Sequence, residues 1–257
     1  MKKLIILLLA SVFVFAACSN GNTGGGTQTI TYIGTKAPGE AKEVGDIVFN
    51  DGSATHYTSQ LTLTDEQKTA AIAIIFYKGT DLNSENDTTT IRTLGFGLKH
   101  GAGLKWCTSD ANAYGKDLKT INSNDKNGSD NLTQIATFLS NPSNNTTNDT
   151  EISEKYPAFY FAINYSNTAT NLGSTYASGW YLPSTSELSQ IYENGKVFDI
   201  YAASDLCGGD GFGTLRYWSS TMYQSSVASV FNFKNLSVGF DFMTDVNNYV
   251  CAIREFN

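Results

Sequence analysis

Histidine and cysteine often supply catalysts and metal ligands, and this sequence has few of them. The 257 residues include two histidines and four cysteines: His56, His100, Cys18, Cys107, Cys207 and Cys251. Neither histidine lies near the strand-turn-helix pattern that positions a serine nucleophile, and no two cysteines have the spacing of a zinc-binding pair. We therefore predict no catalytic residue, no metal site and no cofactor. Both histidines are expected at the surface or in loops.

Two glycine-rich segments are candidates for ligand-binding loops. The glycines between Gly95 and Gly103 lack the spacing of a dinucleotide-binding turn, and no helix signal follows them. Asp205 and Asp210 flank several glycines, but the regular spacing of a calcium-binding loop is absent. We interpret the first segment as a mobile bend and the second as a tight loop.

The N-terminus has the layout of an export signal. Met1–Ala17 combines two lysines with an apolar run that is too short to span a membrane. Small residues precede Cys18, which resembles the bacterial lipobox, whose cysteine is acylated. We predict a signal peptide over 1–17 and a palmitate-bearing Cys18 on a flexible tether, 18–40, with the chain anchored in the bacterial outer membrane and exposed at the cell surface. The alternative is an ordinary signal peptide followed by an unmodified cysteine.

Three cysteines remain if Cys18 carries lipid. At most one disulfide bond can then form among Cys107, Cys207 and Cys251, and their spacing does not choose among the three pairings.

The composition favours an extracellular protein rich in strands and loops. Charged residues make up only 16% of the chain, whereas Ser, Thr and Asn together account for 76 residues. Aromatic residues make up 12%, enough for a sizeable core. The net charge is −7 and lysines and arginines do not cluster, so a nucleic-acid-binding surface is excluded.

Hydrophobic patterns and turn signals predict one domain over 41–257, without an internal repeat. Predicted helices cover Asn131–Leu139, the segment from Pro157, and a segment that opens with the capping box Ser184–Glu187 and ends at Asn194-Gly195. Predicted strands are Val44–Asn50, Ala70–Lys78, Ile91–Leu98, Tyr217–Trp218, Val230–Phe233, Val238–Phe242 and Tyr249–Phe256.

Aromatic residues alternate with small polar residues near the C-terminus. Because successive side chains of a strand point to opposite faces, about half of them should be exposed. Such a face has the composition of an adaptable binding surface, and an ordinary strand-rich terminus explains it equally well. The aromatic residues are Tyr223, Phe231, Phe233, Phe240, Phe242 and Tyr249.

An ordered set of motifs is similar to the C-terminal domain family of the Legionella collagen-like protein. The motifs are VGDIVFNDGS (Val44–Ser53), AIIFYKG (Ala73–Gly79), GWYLPSTSELSQIY (Gly179–Tyr192), YWSST (Tyr217–Thr221) and AIREF (Ala252–Phe256). The resemblance spans residues 41 to 257. It implies a loop-rich α+β domain with the C-type lectin fold of the formylglycine-generating-enzyme type.

Within that family, the chain resembles the Treponema variable proteins, which are diversified by retroelements. The resemblance implies a variable region over 218–257, with Trp218, Ser219, Ser220, Ala228, Phe233, Ala252, Ile253 and Arg254 as scaffold. The sequence departs from the family at two positions. Family members often carry a lysine near the position of Met243 and a basic residue at the position of Cys251. The implied variable, ligand-binding residues are Met222, Tyr223, Ser226, Val227, Ser229, Val230, Leu236, Phe240, Asp241, Asp245, Asn247 and Asn248.

The leading functional hypothesis is a surface lipoprotein that binds an extracellular protein or glycan through this C-terminal face, and that is not an enzyme. Tyr223 and Phe240 are the expected aromatic anchors. One alternative is an enzyme of the formylglycine-generating type, for which Cys207 and Cys251 would be the cysteine pair. The other is an envelope protein with a purely architectural role.

Overall fold

The computed structural model describes residues 31–116, 118, 126–144 and 149–256. Internal contacts divide the chain into Met1–Thr31 and Tyr32–Asn257, and every described helix and strand belongs to the second unit. The predicted signal peptide, Cys18 and most of the predicted tether lie outside the described residues.

Nine strands and seven α-helices are found in the described residues. The strands are β1 (Asp46–Phe49), β2 (Ala54–His56), β3 (Ala71–Gly79), β4 (Arg92–Ala102), β5 (Trp180–Tyr181), β6 (Arg216–Gln224), β7 (Val227–Asn232), β8 (Ser237–Phe242) and β9 (Tyr249–Glu255). The helices are α1 (Asp65–Ala70), α2 (Gly128–Ser140), α3 (Asp149–Lys155), α4 (Pro157–Ile163), α5 (Gly173–Tyr176), α6 (Thr185–Val197) and α7 (Ile200–Leu206). Short 3₁₀ turns cover Pro142–Asn144 and Tyr165–Asn167.

All nine strands join one mixed sheet. Its order is β2-β1-β3-β4-β9-β6-β7-β8, and β5 pairs with the end of β9. The β6–β9 pair is parallel and the other pairs are antiparallel. The last strand in sequence therefore lies in the middle of the sheet, whereas β8 forms an edge.

Helices and loops pack on both faces of the central strands of the sheet. On one face, Ile135 of α2 and Phe159 of α4 pack against a cluster that includes Trp106 and Trp218. On the other face, Leu188 of α6 and Ile200 of α7 pack against a second cluster. Burial on both sides explains why β3 reads as a nearly continuous apolar run instead of an alternating one.

Several local predictions are confirmed and several are corrected. The capping box is present, since the Ser184 and Glu187 side chains each bond to the other residue's backbone, although α6 continues past Asn194-Gly195 to Val197. Pro157 begins α4, as expected from its fixed φ, and a separate helix, α3, precedes it. The predicted mobile bend after Gly95 is wrong, because β4 runs through it to Ala102.

The predicted fold class, a loop-rich α+β domain with the C-type lectin fold of the formylglycine-generating-enzyme type, is wrong. The structure is a large mixed sheet of nine strands with short helices. The early strands and the C-terminal strands form one sheet because β9 pairs along β4, from Leu94 opposite Glu255 to Ala102 opposite Tyr249. Sequence motifs indicate local elements but not such distant pairing.

Candidate binding surface at the edge of the sheet

β8 presents an apolar row to solvent. Its side chains alternate, so Val238, Phe240 and Phe242 share one face and are 46%, 45% and 65% exposed. β8 pairs with β7 from Val227 opposite Phe242 to Asn232 opposite Ser237 without a register shift. Among the described residues, β8 has no strand on its other side.

Tyr223 extends this apolar row across the sheet. Tyr223 lies at the end of β6 and is 48% exposed. Its ring stacks on that of Phe240, with centroids 3.7 Å apart and planes inclined by 22°. Because β7 separates β6 from β8, the stacked pair bridges an entire strand. We call Tyr223, Val238, Phe240 and Phe242 the aromatic surface.

The opposite face of β8 is polar and anchored. An Asp241 carboxylate oxygen lies 2.7 Å from an Arg216 guanidinium nitrogen and accepts a hydrogen bond from Asn248 Nδ2 at 2.8 Å. These contacts hold β8 against β6 and the turn that precedes β9. The contacts of Asp241 on the opposite face therefore restrain the strand that carries most of the aromatic surface.

The structure separates the predicted ligand-binding residues by exposure. The exposed ones are Tyr223, Leu236, Phe240 and Asn247, and the half-buried ones are Ser226, Val227, Asp241 and Asp245. The expectation that all twelve face a ligand is corrected for four buried residues: Met222, Ser229, Val230 and Asn248. Met222 and Val230 pack in the apolar cluster that contains Trp218. Ser229 lies opposite Phe240 on β7, between β6 and β8, and Asn248 is held by its hydrogen bond to Asp241.

The predicted ligand-binding residues do not include two exposed residues of the aromatic surface. Val238 and Phe242 flank Phe240 at a spacing of two residues. This spacing places them on the face of Phe240, so strand periodicity was the signal that could have identified them.

The three described cysteines are free and buried, so none of the pairings left open by the sequence forms. Burial raises the pKa of Cys107 and of Cys207 to about 12, and it also raises the pKa of Cys251. A thiol with a raised pKa is a poor nucleophile and a poor metal ligand. No observation thus favours Cys207 and Cys251 as a catalytic pair.

His56 is exposed, as expected, but the prediction for His100 is wrong. His100 lies in β4, its Nδ1 is 2.8 Å from the Tyr217 hydroxyl, and its buried Nε2 has no hydrogen-bond partner. Desolvation lowers the pKa of His100 to about 4, against the opposing effect of Asp210. Asp210 accepts a hydrogen bond from the His100 backbone at 2.8 Å, so this aspartate has a structural contact in its glycine-rich loop.

Two cavities lie elsewhere in the described residues. One of about 200 Å³ is lined by residues that include Lys68, Lys99 and Cys207. The other, of about 330 Å³, lies beside Tyr160 and Phe161. In the part of the chain that the structure describes, no three His, Cys, Asp or Glu side chains are grouped to hold a metal ion, and no helix is long and apolar enough to cross a membrane.

Comparisons with known proteins show a likeness of fold. No family model and no curated protein matches the chain. Among solved structures, it is similar to a fimbrial protein from Bacteroides ovatus, with 14% sequence identity and a TM-score of 0.51. The similarity covers 82% of this chain and 48% of the fimbrial protein. The chain thus spans about half the length of that protein. This neighbour supports the correction of the fold class.

Proposed function

We propose that this chain is a cell-surface lipoprotein that binds a protein or glycan ligand through the aromatic surface. Acylated Cys18 would anchor the chain in the outer membrane and leave the domain exposed at the cell surface. The observation that carries the proposal is the stacked pair of Tyr223 and Phe240 on an exposed, restrained strand.

The aromatic surface has the physical properties of a binding site. Exposed apolar side chains that form a contiguous patch gain free energy when a partner removes them from water. Aromatic anchors lose few rotatable bonds on binding, and stacking already restrains the rings of Tyr223 and Phe240. A partner therefore meets a largely preformed site.

The similar fold in a fimbrial protein supports the proposed location. That neighbour is fimbrial by its description, and we extend a surface location to this chain as part of the proposal. The signal-like N-terminus and the low content of charged residues are in keeping with an exported protein.

Replacing both Tyr223 and Phe240 by Ala tests the binding proposal. We expect the double variant to bind at least about tenfold more weakly than the unchanged chain, because about 1.4 kcal/mol or more of anchor energy is lost. Binding is measured on arrays of extracellular glycans and proteins, followed by titration of each positive ligand.

Phe198→Ala is the matched control. Phe198 is 45% exposed, as is Phe240, but it lies at the C-terminal end of α6. This variant should bind normally, and thermal unfolding should be similar for all variants. Full binding by the folded Tyr223/Phe240 double variant would contradict the assignment of the aromatic surface.

Cys18→Ser tests the anchor. We expect the unchanged chain to incorporate labelled palmitate and to enter the detergent phase on Triton X-114 partition, and the variant to do neither. Palmitate incorporation by the variant would show that Cys18 is not the acylated residue.

Diversification of residues 218–257 by a retroelement stays a prediction. Deep sequencing of these codons in a clonal population is the measurement that checks it. We expect substitutions confined to template adenines, with a near-identical repeat and a reverse transcriptase gene nearby. An invariant tract without such a repeat would contradict diversification and leave the binding proposal unaffected.

A further inference from the structure

The free edge of β8 has backbone groups that can pair with another strand. Met243 N–H donates to Ser226 O at 3.0 Å, on the side of β7. Because backbone groups alternate along a strand, the N–H and C=O groups of Phe242, Phe240 and Val238 point away from β7. The Phe242 carbonyl also accepts Asp245 N–H at 2.8 Å, which leaves one of its two lone pairs for a second strand. The residues with outward backbone groups are thus the residues whose side chains form the apolar row.

β8 lacks the features that usually protect an edge strand. Edge strands are commonly blocked by Lys, Pro, a bulge or an inward-pointing charge. β8 contains no lysine or proline and pairs regularly with β7. Its one charged residue, Asp241, is on the opposite face and is paired with Arg216.

We propose that β8 pairs antiparallel with β8 of a second copy of this chain. This inference rests on the proposed function, because it names a partner for the aromatic surface. Directly opposite residues in a hydrogen-bonded pair must both have outward backbone groups. The register that uses all of these groups places Phe240 opposite Phe240, and Val238 opposite Phe242, so the two apolar rows continue across the junction.

Charges at the two ends of β8 favour a second copy in this orientation. Lys234 precedes β8 and Asp245 follows it, and neither forms an ion pair among the described residues. The Asp245 carboxylate accepts hydrogen bonds only from the backbone and side chain of Asn247 in that part of the chain. Antiparallel pairing centred on Phe240 brings the end of β8 near each Lys234 to the end near the other copy's Asp245, whereas parallel pairing would bring ends of like charge together.

Disulfide cross-linking of Phe240→Cys in the full chain, at the surface of intact cells, tests the register. Opposite Cα atoms in a hydrogen-bonded antiparallel pair are about 5.5 Å apart, a distance that a disulfide bond spans. We expect the variant to form a covalent dimer under mild oxidation. The unchanged chain should not, since Cys107, Cys207 and Cys251 are buried and Cys18 is predicted to carry lipid.

A second set of variants keeps Phe240 intact. Val238→Cys alone should give no dimer, because the two introduced cysteines are roughly 14 Å apart along the ladder. Cells that produce both Val238→Cys and Phe242→Cys chains should give a mixed dimer. Tyr223→Cys is the matched exposure control, since Tyr223 is on the same surface but away from the edge, and it should not cross-link.

Three results would overturn the inference. They are no dimer from either Phe240→Cys or the mixed chains, equal cross-linking by Tyr223→Cys, or cross-linking of Phe240→Cys to a different protein. If self-pairing fails but the Tyr223/Phe240 double variant no longer binds an array ligand that the unchanged chain binds, the proposed function stands. If the predicted dimers form but no molecule on the arrays binds, self-pairing is supported. Only the proposal that the aromatic surface binds a different molecule is then contradicted.

Discussion

At the scale of single residues, the environment of each side chain decides its chemical behaviour. Tyr223 and Phe240 are exposed, but their stacking holds the two rings across β7, with the buried Ser229 opposite Phe240. Such a pair contributes about 0.5–1.5 kcal/mol beyond its buried area. His100 is the opposite case, because its ring is enclosed by Phe212, Tyr217 and neighbouring groups and stays neutral.

His100 should make the protein less stable in mild acid. The pKa of His100 is about 4 in the folded chain, whereas the ordinary value of 6.5 applies in the unfolded chain. Between these two pH values only the unfolded chain takes up a proton. The contribution of neutral His100 to the free energy of unfolding is fully present above pH 6.5 and falls as the pH drops towards 4. We expect about 2.5 kcal/mol to be lost between pH 7.5 and 4.5.

Urea unfolding at several pH values compares the unchanged chain with His100→Asn. Asn keeps a polar atom near the position of Nδ1, which faces the Tyr217 hydroxyl, but it does not titrate. The variant should lack the pH-dependent loss, whatever its stability at neutral pH. Equal pH dependence of the two proteins would show that His100 is not the group responsible.

At the scale of elements, a few side chains join neighbouring helices and strands. The Glu187 carboxylate caps α6 through Ser184 N–H at 2.7 Å and also accepts Gly128 N–H of α2 at 3.0 Å. Its second oxygen accepts the Tyr181 hydroxyl of β5 at 2.9 Å. Arg92 of β4 donates to the same hydroxyl at 2.8 Å. The Glu187 carboxylate is fully buried, so the hydrogen bonds that it accepts replace those that it loses to water.

Gly179, directly before β5, should not tolerate a side chain. Its φ is +87°, and a Cβ there would lie 2.4 Å from an Arg254 guanidinium nitrogen. We expect Gly179→Ala to lower the free energy of unfolding by about 1–2 kcal/mol, because an L-residue is strained at this φ and the Arg254 guanidinium must move aside for the methyl group.

Gly211→Ala is the control for this prediction. A Cβ at Gly211 would meet nothing within 4 Å, and its φ is not in the left-handed region. Its free energy of unfolding should change by less than about 0.5 kcal/mol in urea titrations. Similar losses for both variants would contradict the proposed steric cause.

At the scale of the whole molecule, the sheet order makes the C-terminus central. β9 lies between β4 and β6 and also pairs with β5. Val250, Cys251, Ala252 and Ile253 are fully buried within it. β8 precedes β9 directly in sequence but forms the sheet edge. Neighbouring segments of the chain therefore differ greatly in their importance for folding.

Removal of residues 249–257 should abolish the fold. The truncation separates the strands on the β4 side from those on the β6 side and exposes both apolar clusters to water. We expect loss of the cooperative thermal transition in circular dichroism and rapid proteolysis. The double variant Val238→Ser with Phe242→Ser, at the sheet edge, should remain folded. A cooperative transition in the truncated chain would contradict the central role of β9.

The sequence by itself determined the local features of this protein. The capping box at Ser184 and Glu187, the helix around Asn131–Leu139 and the alternation through Phe240 were readable because caps and periodicity depend on residues a few positions apart. Only the tertiary structure decided the fold, the burial of Met222 and Asn248, and the neutral state of His100. These depend on the pairing of β4 with β9 and on packing between segments far apart in the chain, which no local spacing encodes.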